Sequence, residues 1–162
     1  MDANLIALKL FLDELNVQSD IDTLDKRKTV QKAVYLGQLS GVNLGYTFSW
    51  YLMGPYSIPL SKDYYALEDS LSSKHNGSYK SKELIPPIKK KLARIKPLLN
   101  MPTNVALSNQ VDWLELVSSV HFLHYVSQLS WAEVTSVIKR EKKHVAPYIE
   151  EAKAELRKLN LI

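Results

Sequence analysis

Apolar residues recur at helical spacing along most of the chain and give way to strand-like alternation in one place. Leu5, Leu8, Phe11, Leu12 and Leu15 fall on one stripe, with Lys9, Asp13 and Glu14 opposite. That spacing predicts a first helix, which Asp2 can cap. A second helix is expected from near Asp22 or Thr23, burying Val30, Ala33, Val34, Leu36 and Leu39, with Gly41 as its terminator. Its opening is basic, with Lys26, Arg27, Lys28 and Lys32. Cations there oppose the helix macrodipole, so a carboxylate in the fold or an anionic partner must favour them.

Tyr46-Thr47-Phe48-Ser49-Trp50-Tyr51-Leu52 reads differently. It is aromatic and β-prone, and it lies between Gly45 and Gly54-Pro55. It predicts a short strand or extended segment whose alternation buries one subset of side chains and exposes the other. Pro55 pushes Gly54 out of helical geometry. Ser57 or Ser61 would then cap a helix through Tyr64, Leu67 and Leu71. Residues 72–82 are polar and contain an Asn76-Gly77 turn signal.

A basic helix is expected from Pro86 or Pro87 to Lys96, turning Ile88, Leu92 and Ile95 inward. The most apolar helix runs from Asn109 or Asp112 to Gln128. Trp113, Leu114, Leu116, Val117, Val120, Phe122, Leu123 and Val126 occupy too much of its circumference for a surface helix, which makes it the central one. Ser130-Trp131-Ala132-Glu133 has the pattern of a capping box and opens another helix, carrying Val134, Val137 and Ile138. A last helix presents Ile149, Ala152, Leu156 and Leu159. The pattern therefore predicts a mainly α fold: one helical-bundle domain over residues 1–162, a short β segment or hairpin near 45–53, and a C-terminal pair compatible with a helix-turn-helix-like unit.

Composition adds limits. The chain has 162 residues, enough for one core without staples. It contains no cysteine, so disulfides, thiolate catalysis and thiolate metal sites are excluded. No secretory signal or bilayer-spanning run fits the pattern, and a cytoplasmic location is the simplest expectation. The net charge of +4 permits an anionic partner without demanding one.

Candidate chemistry is sparse. His121 and His124 stand three apart with Glu115 upstream, a spacing compatible with a metal site, but no further ligand matches it. Histidines of the core or its edge with ordinary hydrogen bonds are the heavier reading. His75 and His144 have no evident catalytic partner. No serine sits in a nucleophile elbow, and Gly37, Gly41 and Gly45 do not form a phosphate loop. No catalytic residue, metal ligand or cofactor site is therefore assigned.

Interaction surfaces are better represented. Lys89, Lys90 and Arg94, together with Lys139, Arg140, Lys142 and Lys143, are the candidates for contact with nucleic acid. Glu150, Glu151 and Glu155 on the last helix would repel phosphate. Charge runs usually solvate exposed faces. The aromatic residues Tyr46, Trp50, Tyr51, Tyr56 and Tyr64 are the candidates for contact with a protein partner, because Tyr and Trp are favoured at interfaces. The competing reading makes them core packing.

Several of these residues carry a family likeness. Arg27-Lys28, Gln31-Lys32 and Tyr35-Leu36, then Tyr46 and Phe48, then Gly54-Pro55-Tyr56-Ser57 with Leu60, resemble the YwgA-like bacterial proteins. Trp113-Leu114-Glu115-Leu116, Ser119, His121-Phe122-Leu123 and Leu159, Leu161 and Ile162 extend the likeness through most of the chain. More distantly the chain looks like the Panacea domain of SocA-like antitoxins, departing from it in the last third. The resemblance implies a protein-binding role as antitoxin, adaptor or phage-defence accessory, with a toxin or defence component as partner. It transfers no catalytic residue. Lys32, Tyr35, Gly54, Pro55, Tyr56, Ser57 and His121 carry over as signature positions only.

Overall fold

The computed structural model describes residues 1–73 and 77–162. The expected turn residue Asn76, and His75, lie outside the described residues. Helix α1 (Ala3–Glu14) is capped by the Asp2 carboxylate, which accepts from Asn4 N at 2.9 Å. Helix α2 (Leu24–Gln38) is capped by Thr23. The two cross at Gly37, where a Cβ would stand 2.4 Å from the Phe11 ring. Only a residue without a side chain permits that approach.

After α2 the chain runs extended without joining a sheet. The Gln38 side-chain oxygen accepts from Leu44 N and Tyr46 N, and its amide donates to Tyr46 O. The expected strand is consequently short. Strand β1 (Ser49–Tyr51) pairs antiparallel with β2 (Gly54–Tyr56), with Trp50 opposite Pro55 and Leu52-Met53 at the tip. Alternation holds through the whole segment: Tyr46, Phe48 and Trp50 turn inward while Thr47, Ser49 and Tyr51 turn out. Ser57 then caps helix α3 (Ile58–Ser72), with Pro59 in its first turn.

Helix α4 (Pro86–Ile95) buries Leu92 and Ile95 and leaves Lys90, Lys91 and Arg94 exposed. Helix α5 (Gln110–His121) is buried on every side from Trp113 to His121 and touches α2, α7 (Ile149–Lys158) and β2, so it is the central helix. It passes into a π turn at Phe122–Val126. Helix α6 (Trp131–Glu141) carries both hydrogen bonds of the capping box. Helix α7 lays Ile149, Ala152 and Leu156 into the core. The chain is thus mainly α, a single helical domain with one short hairpin among the described residues. No described helix is long and apolar enough to cross a membrane.

Candidate functional site

The hairpin is held from two elements by three polar side chains that are themselves buried. Helix α2 presents Gln31, Lys32 and Tyr35 inward along successive turns. Gln31 makes both hydrogen bonds of a strand partner to Ser57: its amide donates to Ser57 O at 2.9 Å and its oxygen accepts from Ser57 N at 2.8 Å. Lys32 Nζ donates to Pro55 O at 2.6 Å. Lys142, just past the end of α6, donates to Leu52 O at 2.8 Å. Short hairpins are marginal alone, so these bonds fix its position.

Glu115 on α5 supplies the negative charge of the cluster. Its Oε1 lies 2.9 Å from Lys28 Nζ, and its Oε2 lies 3.5 Å from Lys142 Nζ and 3.6 Å from His144 Nε2. Two lysines and a histidine thus share one buried carboxylate, and Lys32 feels its charge without contacting it. Burial pushes the Lys32 amine down to about 7, against the pull of Glu115. The Lys142 amine is lowered for the same leading reason. Beneath the hairpin, Ser119 Oγ is buried with no hydrogen-bond partner among the described residues.

A second buried polar pair flanks this cluster. Tyr35 Oη lies 2.7 Å from His121 Nδ1, and His121 stacks on Tyr125 with ring centroids 4.9 Å apart. Burial pushes the imidazole down to about 4 and raises the Tyr35 phenol. Both groups are therefore neutral, and we assign Tyr35 as the donor to Nδ1 with the imidazole proton on Nε2, the arrangement that pairs the buried phenol proton. The sign of the pH dependence follows. Between pH 4 and 6.5 the unfolded chain takes up the proton that folded His121 refuses, so stability falls as pH drops through that window. Imidazole ¹⁵N shifts should show His121 neutral and Nε2-protonated at pH 5.5. A charged ring at that pH would contradict this geometry.

The basic opening of α2 finds its compensation inside the protein. Lys26 pairs with Asp20 and Asp22, Arg27 donates to Ile21 O at 3.0 Å, and Lys28 reaches Glu115. Carboxylates of the fold, rather than an external anion, offset Lys26 and Lys28.

The candidate residues distribute unevenly. Of the aromatic group, Tyr51 is exposed. Trp50 is half-buried and stacks on Phe122, Tyr46 donates to Asp63 at 2.6 Å, and Tyr64 is buried. Tyr51, Tyr56 and Tyr64 do line one common cleft. Of the basic group, Lys90, Arg94, Lys139, Arg140 and Lys143 are exposed and Lys89 is half-buried against Glu83. Lys142 is a correction: it is 1% exposed and committed to Leu52 O and Glu115, so it does not face nucleic acid. His121, His124 and Glu115 do not converge either. His124 stacks on Trp131 and contacts Leu129 O, and no group of three His, Asp or Glu among the described residues is placed to hold a metal ion.

Lys28, Gln31, Ser119, Leu24, Leu52 and Met53 belong to the site without having stood out as candidates. One signal was present: Lys32 sits inside the run Val30–Leu36, where a solvated lysine has no place. Comparison of the chain with family models, with curated proteins and with solved structures returned no match.

Proposed function

We propose that the chain is a non-enzymatic protein-binding module that docks its partner on the hairpin tip. The observation that carries this reading is the contrast between a clamped base and a bare apolar end. Gln31 and Lys32 fix the backbone on the β2 side of the tip and Lys142 bonds the tip carbonyl of Leu52, while the Leu52 side chain is 80% and Tyr51 43% exposed. Large apolar side chains held rigidly in water lose little entropy on binding and make good anchors. The YwgA-like and Panacea-like motif residues support the same reading, since Lys32, Gly54, Pro55 and Ser57 are the residues that build the clamp. In this reading the protein is an antitoxin, an adaptor or a phage-defence accessory.

The test is native affinity purification of the tagged chain from its host, beside a Leu52→Asp variant. A defined protein is expected with the unaltered chain and at least about tenfold less of it with the variant. The variant's melting temperature should shift by no more than about 2 °C, since Leu52 packs on little. An unaltered chain that brings down nothing above a tag-only control would sink the proposal. DNA binding has weaker support, because Lys142 is buried and Arg94 is tied to Leu159 O. Duplex binding that falls steeply with salt would favour it instead.

A further inference from the structure

Beside the hairpin tip lies a half-open cleft of about 260 Å³, bordered by Leu24, Arg27, Lys28, Lys32, Tyr51 and Leu52 with further tyrosines behind. We infer that this cleft takes a short acidic segment of a partner protein, with one large apolar or aromatic side chain between Leu24, Tyr51 and Leu52 and a carboxylate on Arg27, Lys28 and Lys32. The inference rests on the protein-binding reading and names the chemistry of the partner.

Charge complementarity selects an acidic occupant. Both oxygens of Glu115 are already engaged, one by Lys28 and the other by Lys142. Among the described residues no carboxylate lies within 4 Å of Lys32 Nζ or of the Arg27 guanidinium. Lys32 spends one hydrogen bond on Pro55 O, and Arg27 spends one on Ile21 O. An ammonium has three donors and a guanidinium five, so both keep capacity. A cationic excess walled by apolar side chains attracts a carboxylate more strongly than a surface lysine does, because water screens it less.

Size and shape select a peptide. The volume falls below the roughly 300 Å³ at which pockets for small-molecule ligands begin. It suits a single bulky side chain with a neighbouring carboxylate. The apolar walls and the recess of Lys32 do not suit the rigid phosphate rail of a duplex. The mode is then an anchor residue in a pocket with its flanking charge read by cations at the rim.

The experiment selects a phage-displayed library of random linear twelve-residue peptides on the immobilised full chain at pH 6, where Lys32 is protonated. The strongest peptide is synthesised and titrated into ¹⁵N-labelled protein. Selected sequences should carry Asp or Glu within three residues of an aromatic or large aliphatic residue. The amides of residues 24–32, 51–54 and 56 should shift. Replacing the acidic residue by its amide, or making Arg27→Ala or Leu52→Asp in the protein, should each weaken binding about tenfold. Leu52 is exposed, so its variant remains informative if Arg27→Ala disturbs the fold. Selection of basic or charge-free peptides, no selection at all, shifts confined to another face, or a DNA duplex that moves the same amides would overturn the inference. If Leu52→Asp loses the native partner while no acidic peptide is selected, this inference falls and the module reading stands. If the unaltered chain has no partner, the reading itself falls.

Discussion

Replacing Glu115 by alanine should lower the free energy of unfolding by about 3 to 5 kcal/mol, the cost of breaking a buried ion pair from one side. Urea denaturation followed by far-UV circular dichroism measures it. The carboxylate is 3% exposed and is the charge toward which Lys28 and Lys142 point. Without it Lys28 and Lys142 lose their shared carboxylate and Lys32 loses the pull of the same charge, and Lys32 and Lys142, each 1% exposed, are poorly solvated. The loss should depend on pH in a defined sense. Lys32 falls from 10.5 to about 7 in the folded protein, so the unfolded chain holds the extra proton between those values. Stability of the unaltered protein accordingly rises with pH across that window. The alanine variant loses most where Lys32 is charged, so the difference between the two proteins should be larger at pH 6 than at pH 9. Amide exchange at Gly54, Tyr56 and Ser57 should quicken in the variant, because Lys142, which bonds Leu52 O, is no longer held by Glu115 and Lys32, which bonds Pro55 O, loses the pull of the same charge. A difference below about 1 kcal/mol at pH 6 would show that the cluster does not secure the hairpin.

The same cluster marks the boundary of what the sequence makes legible. Helix starts could be read because their determinants are local. Asp2, Ser57 and Ser130 each cap a backbone amide two or three residues away. The central position of α5 could be read because apolar residues circle it. The short β segment could be read from its aromatic alternation, but which part of it pairs could not, because the competitor for its hydrogen bonds lies on another element. Gln38, a helical side chain, takes the hydrogen bonds of Leu44 and Tyr46 that a sheet would have used. Lys142 is the plainest failure. It lies among charged neighbours in Lys139-Arg140-Glu141-Lys142-Lys143, where a lysine reads as solvated. Its partners Leu52 and Glu115 are 90 and 27 residues away. Lys32 gave more warning, being a cation inside a buried run. The two histidines looked like neighbours on one face. The π turn that begins at Phe122 changes the register between them, and each finds a different partner.

Gly54→Ala carries the other large effect, about 3 kcal/mol lost, and its origin can be divided by experiment. Gly54 has φ +90°, a conformation L side chains rarely adopt, and the backbone term is about 1 to 2 kcal/mol. A Cβ there would also lie 2.7 Å from Ser119 Oγ and 3.5 Å from Lys32 Nζ. Ser119 sits on the fully buried stretch of α5, so its short side chain has nowhere to withdraw. The steric term should therefore add about 1 kcal/mol or more. Ser119→Ala alone should change stability by less than about 1 kcal/mol, because it deletes a buried hydroxyl that has no partner. In the double variant the steric part returns and the backbone part does not, giving a positive coupling of about 1 kcal/mol in a denaturation cycle. Strict additivity would mean that the hairpin moves away from α5 instead of clashing with it. In that case Leu52 and Tyr51 would shift with it, and Gly54→Ala would lose partner binding at a smaller cost in stability. Both outcomes follow from one constraint: the tip can be rigid and close to α5 only where the residue facing Ser119 has no side chain.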